Sequence, residues 1–165
     1  PVNLAKVIRL ATEDKELLYP NINFSISIKH NIEALCSEVE LERVITNLLR
    51  NSCEALESTK YGKICIEVER KNSLSLIKIS DNGPGIRREI QKEVFNKDFT
   101  DGKSNGTGRG LFYVKRKVIE WGGTIEFNSS NKGTRFEILL QTPVNDKIEN
   151  GNQDEKKNIV TNLSI

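Results

Sequence analysis

Residues 37–56 read SEVELERVITNLLRNSCEAL, and this stretch carries the clearest structural pattern in the chain. Apolar side chains recur at the three- and four-residue spacing of an α-helix with one buried face, and Ser37 or Glu38 begins the helix. A long amphipathic helix therefore organises the predicted fold. Its buried stripe comprises Leu41, Val44, Ile45, Leu48, Leu49 and Leu56.

The segments on either side of this helix alternate between helical and strand patterns. Residues 4–18 have irregular helical spacing and end before Pro20, which cannot continue a helix. A later helical segment, which begins at Leu111, ends at Gly122 and Gly123, where a left-handed cap is easy for glycine. Strands with a period of two are predicted at 24–28, 64–68, 74–79, 125–127 and 136–140, and a short helix at 87–94.

These elements predict one domain over residues 1–142 with an α/β (α+β) fold. We expect a two-layer sandwich, in which helices cover one face of a mixed, mostly antiparallel sheet. The sequence between Phe95 and Gly110 lacks a hydrophobic period and is rich in small polar residues, which predicts a long, mobile loop. After Pro143 apolar residues become sparse, so residues 143–165 are predicted to be a linker or a disordered tail.

Composition excludes several classes of protein. The chain has 165 residues, of which 36% are hydrophobic and 29% charged, as expected for one soluble globular domain. A net charge of +2 without a basic block argues against nucleic acid as a partner. No apolar run approaches the roughly 20 residues that cross a bilayer, so this fragment should make no direct membrane contact.

Three cysteines favour a reducing, cytoplasmic location. Because the chain lacks any methionine, we expect a fragment of a longer protein, which membrane helices could anchor.

Two asparagines one turn apart form the first candidate site. Asn47 and Asn51 share a polar face of the long helix with Glu40, Arg43 and Glu54. Asparagine is a mediocre helix former, and its carboxamide oxygen can bind a hard cation such as Mg2+. A solvated polar face explains the same pattern, and for this helix alone it is the favoured interpretation.

The second candidate site is residues 81–86, which read DNGPGI at the end of a predicted strand. Asp81 is in phase with Ile77, so its carboxylate faces the apolar side and needs a hydrogen-bond donor there. The exocyclic amino group of adenine would be such a donor, and Gly83 and Gly85 would allow the backbone to approach a planar ligand. An Asx turn that closes the strand is an equally good interpretation.

The third candidate site is residues 106–111, which read GTGRGL and lead into a helix. Backbone N–H groups at a helix N-terminus that comes after glycines form an anion site suited to phosphate. Leu111 stands where a dinucleotide-binding fingerprint needs glycine, and Lys97 stands where a Walker A motif ending at 102–104 needs its first glycine. The segment therefore predicts a phosphate loop of another design.

In this order the segments resemble the ATPase domain shared by histidine kinases, DNA gyrase, the mismatch-repair protein MutL and the heat-shock ATPase chaperones. The resemblance covers about residues 4–142 and implies a Bergerat-type ATP-binding fold, with the nucleotide between helices and sheet under a flexible lid. The similar motifs are the N box (47–51), the G1 box (81–85), the F box (95–99), the G2 box (106–110) and a threonine-bearing box (133–134).

The resemblance implies ATP and Mg2+ as cofactors and gives a role to each site residue. Asn51 would hold Mg2+ with help from Asn47, and both would be catalytic. Asp81 would bind the adenine amino group, with Thr134 as support. The implied phosphate ligands are Lys103, Gly106, Thr107, Gly108, Arg109 and Gly110, and the implied adenine contacts are Gly83, Gly85, Ile86, Phe95 and Leu111.

Two departures from the family pattern refine the implied function. Glu54 stands where many histidine kinases have lysine, which is similar to the nitrogen-regulatory type, and Arg109 replaces a commoner leucine. Asn47 occupies the position of the glutamate that activates water in gyrases and chaperones, and a carboxamide cannot take that proton. The chain is thus expected to be a kinase domain and not a hydrolase.

The implied protein is a two-component sensor histidine kinase. Its ATP-binding catalytic domain would transfer the γ-phosphoryl group of ATP to a histidine on a separate dimerisation domain, and a response regulator receiver domain would act downstream. Two alternatives remain open from the sequence. One is an ATP-binding pseudokinase that serves as an interaction module, and the other is an ATPase of the same superfamily.

Overall fold

The computed structural model describes residues 1–29, 31–99 and 109–143. His30, the segment 100–108 and the segment 144–165 lie outside the described residues, and so does most of the predicted loop and tail. The elements are β1 (Val2–Asn3), α1 (Leu4–Leu18), β2 (Ile22–Ile28), β3 (Glu33–Ala34), α2 (Glu38–Ala55), β4 (Gly62–Lys71), β5 (Leu74–Asp81), α3 (Gly110–Glu120), β6 (Thr124–Ser130) and β7 (Gly133–Gln141).

Five strands form one sheet in the order β2-β4-β5-β7-β6. Only the pairing of β2 with β4 is parallel, whereas β4–β5, β5–β7 and β6–β7 are antiparallel. The predicted mixed, mostly antiparallel sheet is therefore confirmed. β1 and β3 form a separate antiparallel pair that the sequence did not predict, because two residues are too few to show a period.

The hydrophobic core lies between the helices and one face of this sheet. Alternation along each strand sends every second side chain inward, and the predicted apolar stripe of α2 covers them. In α1, Leu10 and Leu18 are exposed, although the sequence pattern counted them with the apolar positions of that helix. The inward residues of the central strands are Ile64, Ile66, Val68, Ile77, Ile79, Phe136, Ile138 and Leu140, all buried.

The helix boundaries agree with local sequence signals, with one exception. The Ser37 hydroxyl accepts a hydrogen bond from the backbone N–H of Glu40 and caps α2, as expected for serine at this position. The predicted helix at 87–94 is wrong, since only Arg88–Ile90 form a single 3-10 turn. Of this segment only Val94 is buried, so the segment lacks the apolar face that stabilises a helix.

Candidate functional site

The carboxylate of Asp81 lies at the end of the central strand β5 and faces inward, as predicted. Its Oδ1 accepts hydrogen bonds from the backbone N–H groups of Gly83 (3.0 Å) and Thr134 (3.3 Å). Its Oδ2 accepts one from the Ser52 hydroxyl (3.1 Å). The contact with Gly83 is the Asx turn that the sequence left open. Because Oδ2 has one donor and two lone pairs, it can still accept a hydrogen bond from a ligand.

Burial raises the pKa of the Asp81 carboxyl above its ordinary value. The hydrogen bonds from Gly83, Ser52 and Thr134 act in the opposite direction because they stabilise the charged form, but desolvation is the larger effect. A further hydrogen-bond donor at Oδ2 would therefore favour the charged carboxylate over the neutral carboxyl. This behaviour is expected of a buried acceptor whose last hydrogen bond comes from a ligand.

Two serines that the sequence reasoning missed connect this carboxylate to its surroundings. Ser52 is buried and lies in phase with the leucine stripe of α2. A serine hydroxyl at a buried position needs a hydrogen-bond partner, so its place on the apolar stripe could have identified Ser52 from the sequence. Ser129 lies opposite Thr134 in the β6–β7 ladder, and their hydroxyls are 2.9 Å apart. Ser129 also accepts from the backbone N–H of Ile86 (2.7 Å), which fixes the segment after Asp81 against β6.

Gly85 is required by the packing of the chain on itself. It has φ +78°, and a Cβ atom there would lie 1.8 Å from the carbonyl oxygen of Ser130. A Cβ atom on Gly83 would lie 3.0 Å from Oδ1 of Asp81. The sequence attributed both glycines to close approach of a ligand, whereas the close neighbours seen here belong to the protein.

Gly85→Ala should therefore destabilise the domain more than Gly122→Ala. Both positions have positive φ, but a Cβ atom on Gly122 meets nothing within 4 Å. We expect the Gly122 variant to lose about 1–2 kcal/mol through backbone strain alone, and the Gly85 variant to lose more because the Ser130 carbonyl must move. Urea unfolding followed by circular dichroism measures both. Equal losses would contradict the backbone contact.

The predicted apolar wall lies next to β6. Phe95 contacts the rings of Phe127 and Phe136 edge-on, with centroid distances of 5.7 and 6.4 Å. Ile86 and Leu111 are half-buried and pack against the same core. Ile86 thus lies against Ser129 near the end of β6, whereas Phe95 packs on Phe127 in the middle of that strand.

The two asparagines of α2 differ in their partners. Asn47 uses both ends of its carboxamide: Nδ2 donates to the carbonyl of Arg43 (2.8 Å), and Oδ1 accepts from Nη2 of Arg50 (2.8 Å). Asn51 is half-buried, and no hydrogen bond of its side chain is found among the described residues. Asn51 is therefore the better placed of the two to bind a cation.

The polar face of α2 packs partly against α3, where three of its five residues contact that helix, although Arg43 remains exposed as a solvated face predicts. Three contacts follow one another along these two antiparallel helices. The first is an ion pair, the second places a guanidinium 4.3 Å from the centroid of an aromatic ring, and in the third a carboxamide oxygen lies 3.1 Å from the position that a Cβ atom on a glycine would take. The three pairs are Glu40–Lys117, Arg43–Tyr113 and Asn47–Gly110.

The predicted phosphate ligands are only partly described. Gly110 begins α3 beside Asn47, and Nε of Arg109 lies 3.4 Å from Oδ1 of Asp98 with the arginine side chain 73% exposed. The others, Lys103, Gly106, Thr107 and Gly108, lie outside the described residues.

A cavity of about 400 Å3 lies at the other end of the sheet from Asp81. Its lining includes Lys29, Glu69 and Arg70, near the ends of β2 and β4, and Thr142 after β7. It does not include any of the predicted site residues. The candidate site is therefore identified by its side chains and their hydrogen bonds.

The residues present fit the two cofactors that the family pattern implies. Asn51 offers a free carboxamide oxygen, and the described ranges contain no cluster of His, Cys, Asp or Glu that could hold a metal ion. A neutral carboxamide ligand suits Mg2+, which keeps several waters and binds phosphate oxygens. For adenine, Oδ2 of Asp81 offers one open acceptor position.

No helix in the described part of the chain is long and apolar enough to span a bilayer.

Comparisons with known proteins agree with the fold. Residues 36–144 match the family of histidine kinase-, DNA gyrase B-, and HSP90-like ATPases. The chain is 36% identical to the C4-dicarboxylate transport sensor protein DctB of Rhizobium meliloti (strain 1021) over 110 residues, which are 67% of this chain and 18% of that protein. It is 33% identical to the sensor histidine kinase GlnK of Bacillus subtilis (strain 168) over 153 residues, which are 90% of this chain and 36% of that protein.

Solved structures share the same architecture. The catalytic domain of the histidine kinase ThkA superposes with a TM-score of 0.74 at 27% identity, covering 85% of this chain and 93% of that one. The mycobacterial sensor histidine kinase MprB has the same fold, with a TM-score of 0.76 at 24% identity over 86% of this chain and 95% of that one. The chain belongs to the histidine kinase-, DNA gyrase B-, and HSP90-like ATPase family, as an ATP-binding catalytic domain of the sensor histidine kinase type.

Proposed function

We propose that this domain binds Mg-ATP and transfers its γ-phosphoryl group to a histidine on a dimerisation domain of the same protein. The chain spans about a fifth to a third of the length of the two relatives named above, so the partner domains lie in other segments of such proteins. The observation that carries the proposal is Asn47. It stands where a general base would activate water, it cannot take a proton, and both ends of its carboxamide are already bound.

Each site residue has a part in this proposal. Asn51 would hold Mg2+, whose charge offsets the negative charge of the phosphates during transfer. Oδ2 of Asp81 would accept from the adenine amino group, and Thr134 would hold the carboxylate in place through its N–H. Adenine would contact Gly83, Gly85, Ile86, Phe95 and Leu111, and the phosphates would contact Lys103, Gly106, Thr107, Gly108, Arg109 and Gly110.

The proposal extends to the surroundings of the domain. Residues 1–142 would form the ATP-binding unit, and residues 143–165 would serve as a linker or a disordered tail. A response regulator receiver domain would take the phosphoryl group from the histidine. We further propose a cytoplasmic location for this domain, where ATP and reduced cysteines are both found; Cys36, Cys53 and Cys65 are free thiols.

The domain alone should hydrolyse ATP very slowly but should phosphorylate the histidine-bearing segment of its own protein when that segment is supplied in trans. External transfer is favoured because the side chain at position 47 cannot activate water. Radiolabelled ATP followed by acid and base treatment gives the readout, since phosphohistidine is acid-labile and base-stable. Rapid hydrolysis, or transfer to serine, would overturn the proposal. Binding without any transfer would instead favour the pseudokinase.

A further inference from the structure

Arg50 lies on α2 between the two asparagines of the site, and its guanidinium group is close to Asn47, Glu54 and Gly110. Its Nη2 donates to Oδ1 of Asn47 at 2.8 Å and lies 3.1 Å from the place of a Cβ atom on Gly110. Its Nε lies 3.7 Å from Oε1 of Glu54, one helical turn further on. The arginine is therefore held from one side by a carboxylate while it binds the carboxamide on the other side.

Two hydrogen bonds determine the orientation of the Asn47 carboxamide, that is, the positions of its oxygen and its NH2 group. The carbonyl of Arg43 can only accept a hydrogen bond, so it binds the NH2 end of Asn47. A guanidinium can only donate, so Arg50 binds the oxygen end. Either contact alone favours this orientation, and together they fix it. As a result Oδ1 faces the first residue of α3, where a Cβ atom on Gly110 would lie 3.1 Å from it.

This orientation matters for metal binding. A carboxamide binds a cation or a cation-bound water through its oxygen, and the flipped form would present NH2 instead. Oδ1 has two lone pairs, and Arg50 uses one of them, which leaves the second available. The ion pair with Glu54 also gives a structural role to the residue that replaces the lysine of many histidine kinases.

We propose, on the basis of the function proposed above, that Arg50 is a positioning residue that holds the Asn47 oxygen toward the Mg2+ of the bound nucleotide. Arg50 acts through Asn47 and does not itself bind phosphate. Two quantities should therefore respond differently to its loss. The contribution of Mg2+ to nucleotide binding should weaken, and the binding of metal-free nucleotide should remain unchanged.

Arg50→Met tests this role by calorimetry with ATP, once in excess EDTA and once across a Mg2+ titration. We expect unchanged affinity in EDTA and an increase of about tenfold in the Mg2+ concentration at half-effect, as is typical when a partner of a metal ligand is lost. Arg50→Lys should recover part of the shift, because an ammonium group also only donates. Arg116→Met, which removes the same charge from an exposed position of α3, serves as the control.

Asn47→Ala distinguishes positioning from other effects. It should shift the Mg2+ requirement by a similar factor, and the double variant of Arg50→Met and Asn47→Ala should show no additional shift, because both changes remove the same interaction. Additive shifts would overturn the proposal, and so would an affinity loss for Arg50→Met in EDTA, which would indicate direct phosphate contact. If the wild-type domain shows no Mg2+-dependent ATP binding, the proposed function itself fails.

Discussion

Asn51→Ala should abolish phosphoryl transfer while it leaves the fold intact. We expect the rate of transfer to the histidine-bearing segment to fall by about 100-fold or more, in the range seen when a metal site is disrupted. Stability should be unchanged or slightly higher, since the Asn51 side chain has no hydrogen-bond partner in the described residues and alanine is the better helix former. Radiolabelled transfer assays and urea unfolding measure the two quantities separately.

Asn128→Ala is the matched control for this variant, because Asn128 is an exposed residue of β6. It should retain full transfer activity. If Asn51→Ala keeps near-normal transfer at saturating Mg2+, another residue holds the metal, and the assignment of Asn51 is wrong. A loss of stability in Asn51→Ala would mean that its side chain has a structural role in addition.

Asp81→Asn should weaken ATP binding by about 1–3 kcal/mol, the cost of an unmatched buried polar contact, and should remove the preference for ATP over GTP. Guanine carries a carbonyl where adenine carries the amino group, so only adenine can donate to Oδ2 of Asp81. Calorimetry with both nucleotides measures the preference. Asp14→Asn, an exposed change on α1, should bind as the wild type does. Equal binding of ATP and GTP by the wild type would refute the adenine assignment.

The same carboxylate predicts how ATP binding depends on pH. Burial raises the pKa of Asp81, so in the free protein the carboxyl takes up a proton at a higher pH than an ordinary aspartate does. ATP affinity should therefore decrease as the pH is lowered through this raised pKa, and Asp81→Asn should lack the decrease. The free energy of unfolding should change in the opposite direction and increase as the pH is lowered through the raised pKa. The cost of ionising this buried carboxyl is absent below the ordinary pKa of 3.8 and fully present above the raised one.

Sequence patterns predicted the elements that have a clear hydrophobic period. The stripe of α2 and the alternation in β4, β5 and β7 appear in the structure at nearly the expected residues, because each pattern results from burial of one face. The inward direction of Asp81 was predicted for the same reason. By contrast, the pair of β1 and β3 was missed, since two residues are too few to show a period, and a helix was wrongly predicted at 87–94, where the structure has only a 3-10 turn at Arg88–Ile90.

The contacts of the polar site residues could not be predicted from the sequence. The face of α2 that carries Asn47 looked solvated because its partner, α3, lies far along the chain, and helical periodicity describes only one helix at a time. Arg50 and Ser129 were overlooked because each acts through a hydrogen bond to another site residue, and the position of Ser52 on the apolar stripe shows that it needs a partner but not which one. Such bonds depend on tertiary packing, which a local pattern does not contain.

The order of strands has a consequence for the kinetics of folding. β4–β5 and β6–β7 are hairpins that can form from neighbouring residues, whereas we expect the β5–β7 ladder to form later, because it closes a longer loop at greater entropic cost. Asp81 and Thr134 are opposite each other at one end of that ladder and 53 residues apart in the chain. The carboxylate therefore gains its Thr134 contact only when the two hairpins meet, and a partly folded chain with either hairpin alone would lack the complete acceptor that we propose for adenine.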